Sequence, residues 1–312
     1  MSRVDFARCE PGGLMRSTPF HAGLLWRGCR LTWNRWRPIT HKGPVASRSS
    51  RNITDRRMVM RTHAFCILAA AVLLVIAQPS MVGAVERAEA EETARLLAKL
   101  LQSGRMVIER NQTLIDDPHK GEKGFTPELF EQQLVREFLA KTGIDLTALP
   151  AAPVSILIPP LAKELLPALV QASREVVRDA QVVINQRGIG YKNFIPATYG
   201  SQASARFSKS AHVRLKQTAI EPRNPKNEPD EYEASVLKWL SARPRAEAYV
   251  SELTEEGRTL RVVMPIYYAK DCLACHGEPK GDLDISGYPK EGHKEGDLAG
   301  AITVTAPLTI RK

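Results

Sequence analysis

The chain has 312 residues, of which 43% are hydrophobic and 25% are charged, the proportions of an ordinary globular protein with a real core. Its formal net charge of +10 is unevenly spread, because residues 1–84 hold 13 of the 44 Lys and Arg residues but only 3 of the 34 Asp and Glu residues. The 31 basic and 31 acidic residues beyond them balance. A nucleic-acid-binding domain needs a basic face, so this balance excludes that class and predicts no nucleic-acid partner.

The front of the chain predicts export. A basic stretch, "RRMVMRT", leads into the 14-residue apolar run "AFCILAAAVLLVIA", and small residues precede the predicted cleavage site after Ala84. We therefore interpret residues 58–84 as a signal peptide and the protein as periplasmic, with an uncleaved membrane anchor as the alternative. Residues 1–57 have no periodicity and predict a non-translated or disordered extension, because translation would then start at Met58 or Met60.

The first half of the exported part predicts helices. Apolar residues recur at helical spacing from Glu86 to about Ile115 and from about Leu161 to Gln186, and the Pro-rich segment 146–160 between them predicts a turn or linker. The segment 123–138 ("KGFTPELFEQQLVREF") aligns with 192–207 ("KNFIPATYGSQASARF"). Each copy has Pro near a helix start and an apolar stripe, so we expect two similarly packed core helices, with a ligand-lining role as the alternative.

The last third changes period. A helix is predicted over about Asp230 to Ala242, followed by two strands around a Glu-Gly turn in "AEAYVSELTEEGRTLRVVMPIYYA" and a further strand in "LAGAITVTAPL". The sequence predicts an α+β fold in which long helices (85–212) pack on one face of a small antiparallel sheet (213–312), as a single domain over 85–312. A short helix with the motif "CLACH" interrupts the strands.

Cysteine usage narrows the chemistry. Cys9, Cys29 and Cys66 precede the exported part, which retains Cys272 and Cys275. In an oxidising compartment such a pair is a fortuitous disulfide, a thiol-disulfide exchange site, a zinc site or a haem attachment site. Zinc lacks a second pair of ligands, and a thioredoxin-like fold lacks the elements that normally follow its motif, since 36 residues remain after the motif.

Haem attachment uses every residue of the motif. One helical turn brings Cys272 and Cys275 to one side, where both sulfurs can form thioethers with the vinyl groups of one porphyrin. His276 then becomes the proximal iron ligand, and the small Gly277 lets the chain leave without crowding the macrocycle. A single CxxCH motif predicts one covalent haem c.

The sixth iron position decides between an electron carrier and a gas binder. The candidate ligands His293, His212 and Met264 are preferred to His119 and Met106. An open position would admit a diatomic gas. Arg223 is a candidate for pairing with a haem propionate, although an Arg that holds a turn is an equal alternative. The paired carboxylates are interpreted as solvated surface groups, so we expect no catalytic constellation and no enzyme: Asp282 with Asp284, and Glu255 with Glu256.

The stretches "RLKQT", "EPRNPKNEPDEYE", "MPIYYAKDCLACHGEP" and "YPKEGHKEGDLAGAITV", in this order, resemble a family of exported bacterial single-haem c-type proteins, a domain of unknown function with a PAS-like sensor fold. The similarity extends from about Glu91 through Leu308. It implies a haem on Cys272, Cys275 and His276, a PAS-like sheet, and a role in one-electron transfer or in redox or small-ligand sensing. In many relatives a kinase or chemoreceptor module follows such a domain. Because this chain ends at Lys312, we expect a separate redox or signalling partner.

Overall fold

The computed structural model describes residues 79–149, 151–152, 157–245, 249–254 and 257–308. The predicted extension 1–57, and the predicted signal peptide as far as residue 78, lie outside these residues. Residues 79–84, the end of the predicted signal peptide, begin the first helix. Within the described part of the chain, no helix is both long and apolar enough to cross a membrane.

Helices occupy the first half, and both predicted long helices are confirmed with one interruption each. A single residue, Asn111 or Ala180, separates each long helix from a one-turn helix that continues it. The helices are α1 (Pro79–Arg110), α2 (Gln112–Ile115), α3 (Pro127–Thr142), α4 (Pro160–Asp179), α5 (Gln181–Ile184) and α6 (Pro196–Ser210).

The two aligned segments belong to a larger repeat. α2 and α5, and the starts of α3 and α6, are each 69 residues apart. Their connecting loops bond reciprocally: Lys123 N donates to Asn185 Oδ1 at 3.0 Å, and Lys192 N donates to Asp116 Oδ1 at 2.9 Å. Each Lys is thus bonded to the residue that corresponds, in the other copy, to its own partner.

The glutamines at the start of the one-turn helices repeat this exchange. Gln112 donates from Nε2 to the carbonyl of Phe194 at 3.4 Å, and Gln181 donates from Nε2 to the carbonyl of Phe125 at 3.0 Å. Positions 112 and 181, and positions 125 and 194, are again 69 residues apart. The two helical halves are therefore related by an internal pseudo-twofold relationship.

The aligned aromatic residues form the core, which confirms the preferred interpretation of the repeat. Phe130 and Tyr199 are equivalent positions, both fully buried, and their ring centroids are 5.4 Å apart. The Tyr199 hydroxyl donates to Ser173 Oγ at 2.9 Å. α1 passes so close that a Cβ built on Gly104 would lie 2.0 Å from Tyr199 Oη, so only glycine fits there.

The predicted α+β class is confirmed by a four-stranded antiparallel sheet. Its strands, in the order β1-β4-β3-β2, are β1 (Arg214–Thr218), β2 (Val250–Thr254), β3 (Thr259–Tyr267) and β4 (Leu298–Pro307). β2 and β3 form the predicted hairpin, and β1 had no clear strand signal in the sequence. The predicted helix before the hairpin is α7 (Glu231–Ser241), which begins with a capping box between Asp230 and Glu233.

The expectation that helices cover one face of the sheet is wrong. Neighbouring residues of β3 point to opposite faces: Val262 joins the core shared with α1, whereas Val263 packs with α7. Leu237 and Leu240 of α7 belong to this second, smaller core. The sheet therefore lies between the repeated helices and α7, because both faces of its central strands are apolar.

The CxxCH motif lies in the connection between β3 and β4, residues 268–297. This connection contains a 3-10 turn (Lys270–Cys272), the short helix α8 (Leu273–His276) and a bridge between Leu283 and Pro289. Tyr268 N donates to the Asp297 carbonyl, and Gly296 N donates to the Tyr268 carbonyl, each at 2.9 Å. These bonds close the base of the connection, so it leaves the sheet as an anchored loop.

Candidate functional site

The motif residues lie on one short helical turn at the end of β3, as predicted. The 3-10 turn that ends at Cys272 continues directly into α8, which ends at His276. Gly277 N then donates to the Leu273 carbonyl at 2.9 Å, and a Cβ on Gly277 would lie 2.6 Å from that same oxygen. Glycine is thus required where the chain leaves the motif.

The two thiols are free and only partly exposed. Burial raises the pKa of both Cys272 and Cys275, and the nearby carboxylate of Asp284 raises that of Cys275 further. A thiol-exchange site needs the opposite, a lowered thiol pKa in an electropositive setting. Among the described residues, no group of three or more His, Cys, Asp or Glu side chains is arranged to hold a metal ion.

His276 is oriented by a carboxylate that the sequence analysis did not identify. Its Nδ1 lies 2.8 Å from Glu291 Oε2. Burial lowers the pKa of His276, which favours the neutral ring. Burial alone would raise the pKa of Glu291, but hydrogen bonds from Arg223 and His276 hold it below its usual value, so the carboxyl is ionised. Nδ1–H therefore donates to Glu291, and Nε2 keeps its lone pair for a metal.

Arg223 ties the motif to two carboxylates. It donates from Nε to Glu291 Oε1 at 2.7 Å, from Nη1 to Asp284 Oδ2 at 2.5 Å, and from Nη2 to the Cys275 carbonyl at 2.9 Å. Of the two roles expected for Arg223, the structure shows the one that holds a turn. Its bonds to Glu291, Asp284 and the motif carbonyl fix the loop around α8.

The expectation that Asp284 is a solvated surface group is wrong. Its side chain is 0% exposed, whereas Asp282 is exposed as expected, and Glu255 and Glu256 lie outside the described residues. Burial would raise the pKa of Asp284, but bonds from Ser286, Arg223 and the Tyr288 backbone hold it far below its usual value. The ionised carboxylate is retained because these donors replace water.

The ring of Tyr268 contacts two histidines. Its centroid is 5.2 Å from that of His276 and 4.6 Å from that of His293, and the His293 ring is nearly parallel to it. The His293 backbone N–H also donates to the His276 carbonyl at 2.8 Å. Burial raises the pKa of Tyr268 to about 12, so it stays neutral beside the motif. His293 is thus attached to the motif and lies next to the predicted proximal ligand.

A cavity of about 1900 Å³ adjoins the motif. It exceeds the usual range of small-molecule pockets, about 300–1,000 Å³. Cys272, Cys275 and His276 all line it. Of the three preferred candidates for the sixth iron ligand, His293 lines it as well, whereas His212 and Met264, both in the described part of the chain, do not. Met264 instead lines a separate depression of about 270 Å³.

Polar residues from the helical repeat complete the wall of this cavity. α1 contributes Arg105 and Glu109, the loop before α6 contributes Tyr191, and β1 contributes Gln217. Burial raises the pKa of both Glu109 and Tyr191, with Asp271 adding to the first effect and Cys275 to the second. The second copy of the repeat lines the cavity through the start of α6, whereas the start of α3 does not.

Sequence reasoning missed Glu291 and Arg105. Glu291 lies 15 residues after the motif histidine, and its only signal was its place in "YPKEGHKEGD", one of the stretches that carry the resemblance. Arg105 is one of several charged residues along an amphipathic helix. Neither position carried a local motif.

Comparison with known proteins gives one family and one solved structure. The crystal structure of the cyanobacterial heme-protein Tll0287 is similar at 16% sequence identity and a TM-score of 0.33, over 48% of this chain and 96% of that chain. No curated protein is significantly similar to the chain. The profile of the Tll0287-like family matches residues 84–307, nearly all of the predicted exported part, and the chain therefore belongs to the Tll0287-like family.

Proposed function

We propose that the protein binds one haem c, attached covalently through Cys272 and Cys275 with His276 as the proximal iron ligand. The observation that carries this proposal is the convergence of all three residues on one cavity wall. Each thiol adds across a vinyl group, so that a sulfur–carbon bond forms and the thiol proton passes to the neighbouring carbon. The raised pKa of each thiol keeps that proton available.

The residues around the motif fit such a group. Glu291 occupies Nδ1 of His276 and leaves Nε2 for iron, and a ligand histidine held by a carboxylate is a common arrangement at metal sites. Gly277 keeps the exit of the chain narrow. The cavity is large enough for a ligand well above ordinary drug size. Haem bound there would supply a one-electron iron couple and, with an open sixth position, a site for a diatomic molecule.

Family membership supports the same cofactor. The family takes its name from Tll0287, which is described as a cyanobacterial heme-protein. A PAS-like sheet and the covalent mode of attachment are our proposals for this chain. They rest on the residue stretches described above and on the CxxCH geometry.

We assign the haem a role in one-electron transfer or in redox or small-ligand sensing, rather than an enzymatic one. Export to the periplasm, followed by transfer of the electron or signal to a separate partner protein, completes the proposal. A thiol-disulfide oxidoreductase built on Cys272 and Cys275 is the alternative, and the raised pKa of both thiols speaks against it.

The attachment is tested by expression in a host that matures c-type cytochromes. We expect the mass of the purified protein to increase by one haem and the Soret band to survive denaturation. Replacing Cys272 and Cys275 together by Ser should abolish both signals. Cys66→Ser, in the predicted signal peptide, is the matched control and should leave them intact. A colourless protein whose thiols react readily with alkylating agents would instead support the oxidoreductase.

Carbon monoxide separates the two roles of the haem. A prompt shift of the Soret band when the gas is added to the reduced protein would support a sensor with an open or weakly held sixth position. No shift would support an electron carrier with both axial positions filled. His293→Ala then tests the candidate ligand that lines the cavity: if His293 is the sixth ligand, the variant gains the shift.

Export is tested by fractionation and amino-terminal sequencing. We expect the mature protein in the periplasmic fraction, beginning at Val85. Recovery in the membrane fraction with residues 58–84 still attached would support the anchored alternative. Recovery in the cytoplasm would overturn the proposed location.

A further inference from the structure

Arg105 is held inside the cavity by two glutamines. It extends from α1 across Gly200 of α6, where a built Cβ would lie 3.4 Å from Arg105 Cδ. Arg105 donates from Nε to Gln102 Oε1 at 3.1 Å and from Nη1 to Gln217 Oε1. Both partners are neutral amides, so the guanidinium is oriented without being neutralised.

Gln217 has little freedom to turn. It is 5% exposed, and its Nε2 donates to the Ala197 carbonyl at 2.7 Å and to Ser201 Oγ at 3.0 Å. With the amide nitrogen occupied, the amide oxygen must face Arg105. A Cβ on Gly200 would lie 2.2 Å from that oxygen, so glycine at this position is needed for the arrangement.

The charge on Arg105 has no counter-charge. Among the described residues, no carboxylate lies within ion-pair distance of its guanidinium, and Nη2 has no hydrogen-bond partner. Glu109, one turn further along α1, acts on Arg105 only at longer range. By contrast, Arg223 in the same cavity wall pairs with two carboxylates. Charged side chains are rarely buried unless they are paired, so Arg105 lacks an anionic partner.

The start of α6 faces the same space. Pro196, Ala197 and Thr198 line the cavity, and the N-cap residue Ile195 has no side chain that could bond the free backbone N–H groups of the first turn. α3, its counterpart in the repeat, is capped by Thr126. An uncapped helix start adds a partial positive charge and unused donors beside the guanidinium.

We propose that Arg105 is a carboxylate-binding residue of the cavity, whose guanidinium pairs with an anionic carboxylate beside the start of α6. The carboxylate belongs either to a haem propionate, in which case the inference rests on the proposed function, or to a separate small carboxylic acid in the same cavity. In both cases Gln217 and Gln102 position the guanidinium, and Nη2 is the donor available to the ligand.

The experiment uses the full purified protein with Arg105→Gln, which removes the charge, and Arg206→Gln as the matched control. Arg206 is a surface arginine of α6 that pairs with Glu175 and Asp179 away from the cavity. Resonance Raman spectra report the propionate bending band, and calorimetric titrations with acetate and succinate report free carboxylates. Circular dichroism confirms that each variant is folded, and Arg105→Lys replaces Arg105→Gln where the latter is not.

A propionate partner predicts that the bending band moves in Arg105→Gln and is unchanged in Arg206→Gln, while the mass of the attached haem stays the same. A free carboxylate partner predicts acetate or succinate binding that weakens about 10- to 100-fold in Arg105→Gln only, the loss expected for a charge-assisted hydrogen bond. An unmoved band together with unchanged or absent carboxylate binding overturns the proposal. A protein without haem would overturn the proposed function, and its titrations would still test Arg105.

Discussion

The hydrogen bond between His276 and Glu291 makes a quantitative prediction about the haem potential. An ionised carboxylate 2.8 Å from Nδ1 draws the proton toward itself and makes the imidazole a stronger donor to iron. A stronger donor stabilises the ferric state. Glu291→Gln keeps a hydrogen-bond acceptor of the same shape but removes its charge, so we expect the reduction potential to rise.

The size of this change follows from the kind of bond that is lost. A hydrogen bond to a charged group contributes about 1.5–3 kcal/mol and a neutral one about 0.5–1.5 kcal/mol, so the exchange weakens the bond by about 1 kcal/mol. For a one-electron couple a tenfold change in equilibrium, about 1.4 kcal/mol, corresponds to about 59 mV. With the Glu291 side chain 32% exposed and partly screened by solvent, we expect a rise of about 20–40 mV.

The assay is a spectroelectrochemical titration of the holoprotein and its variants. Asp297→Asn is the matched control, because Asp297 also lines the cavity but its carboxylate lies near His293, at 3.8 Å, rather than near His276. The control measures the effect of losing one negative charge without losing the bond to the ligand. A Glu291→Gln potential that falls, or that rises no more than the Asp297→Asn potential, would show that the carboxylate does not act through the imidazole.

Two further predictions concern stability. Gly104→Ala places a Cβ 2.0 Å from Tyr199 Oη, and we expect this overpacking to cost about 1–3 kcal/mol in urea unfolding. In a Tyr199→Phe background that cost should fall, and strictly additive costs would argue against the contact. Asp284→Asn removes a carboxylate whose pKa is held below its usual value, so the carboxylate stabilises the fold at neutral pH and this stabilisation is lost as pH falls below about 4. The variant should be less stable at pH 7, with a gap that closes in acid; a gap independent of pH would contradict the role given to the Arg223 pair.

Local patterns in the sequence predicted the elements that local physics controls. The two long helices, the β2-β3 hairpin and the helical turn at Cys272 each depend on spacing within one segment. The repeat was visible through its aromatic and proline positions. Its reciprocal bonds, such as that of Lys123 to Asn185, join residues 62 positions apart and have no local signature.

Long-range pairing explains what could not be predicted. Asp284 stands in a polar turn between exposed neighbours, and its burial follows from Arg223, which lies 61 residues earlier in the chain. α7 has an ordinary amphipathic pattern, which does not specify the face of the sheet that it covers. Glu291 and Arg105 acquire their roles only when the β3-β4 connection and α1 are folded against the same cavity.

The weakest element of the fold carries the proposed chemistry, and this explains the density of bonds around it. A four-residue helix such as α8 is not stable alone, because one turn does not offset the cost of helix nucleation. Arg223 holds the Cys275 carbonyl from outside the connection, and His293 N holds the His276 carbonyl from within it. These external bonds keep both thiols and the imidazole on one cavity wall before any cofactor binds. Haem attachment to this turn would therefore require little further ordering of the chain, since the surrounding ion pairs have already fixed its geometry.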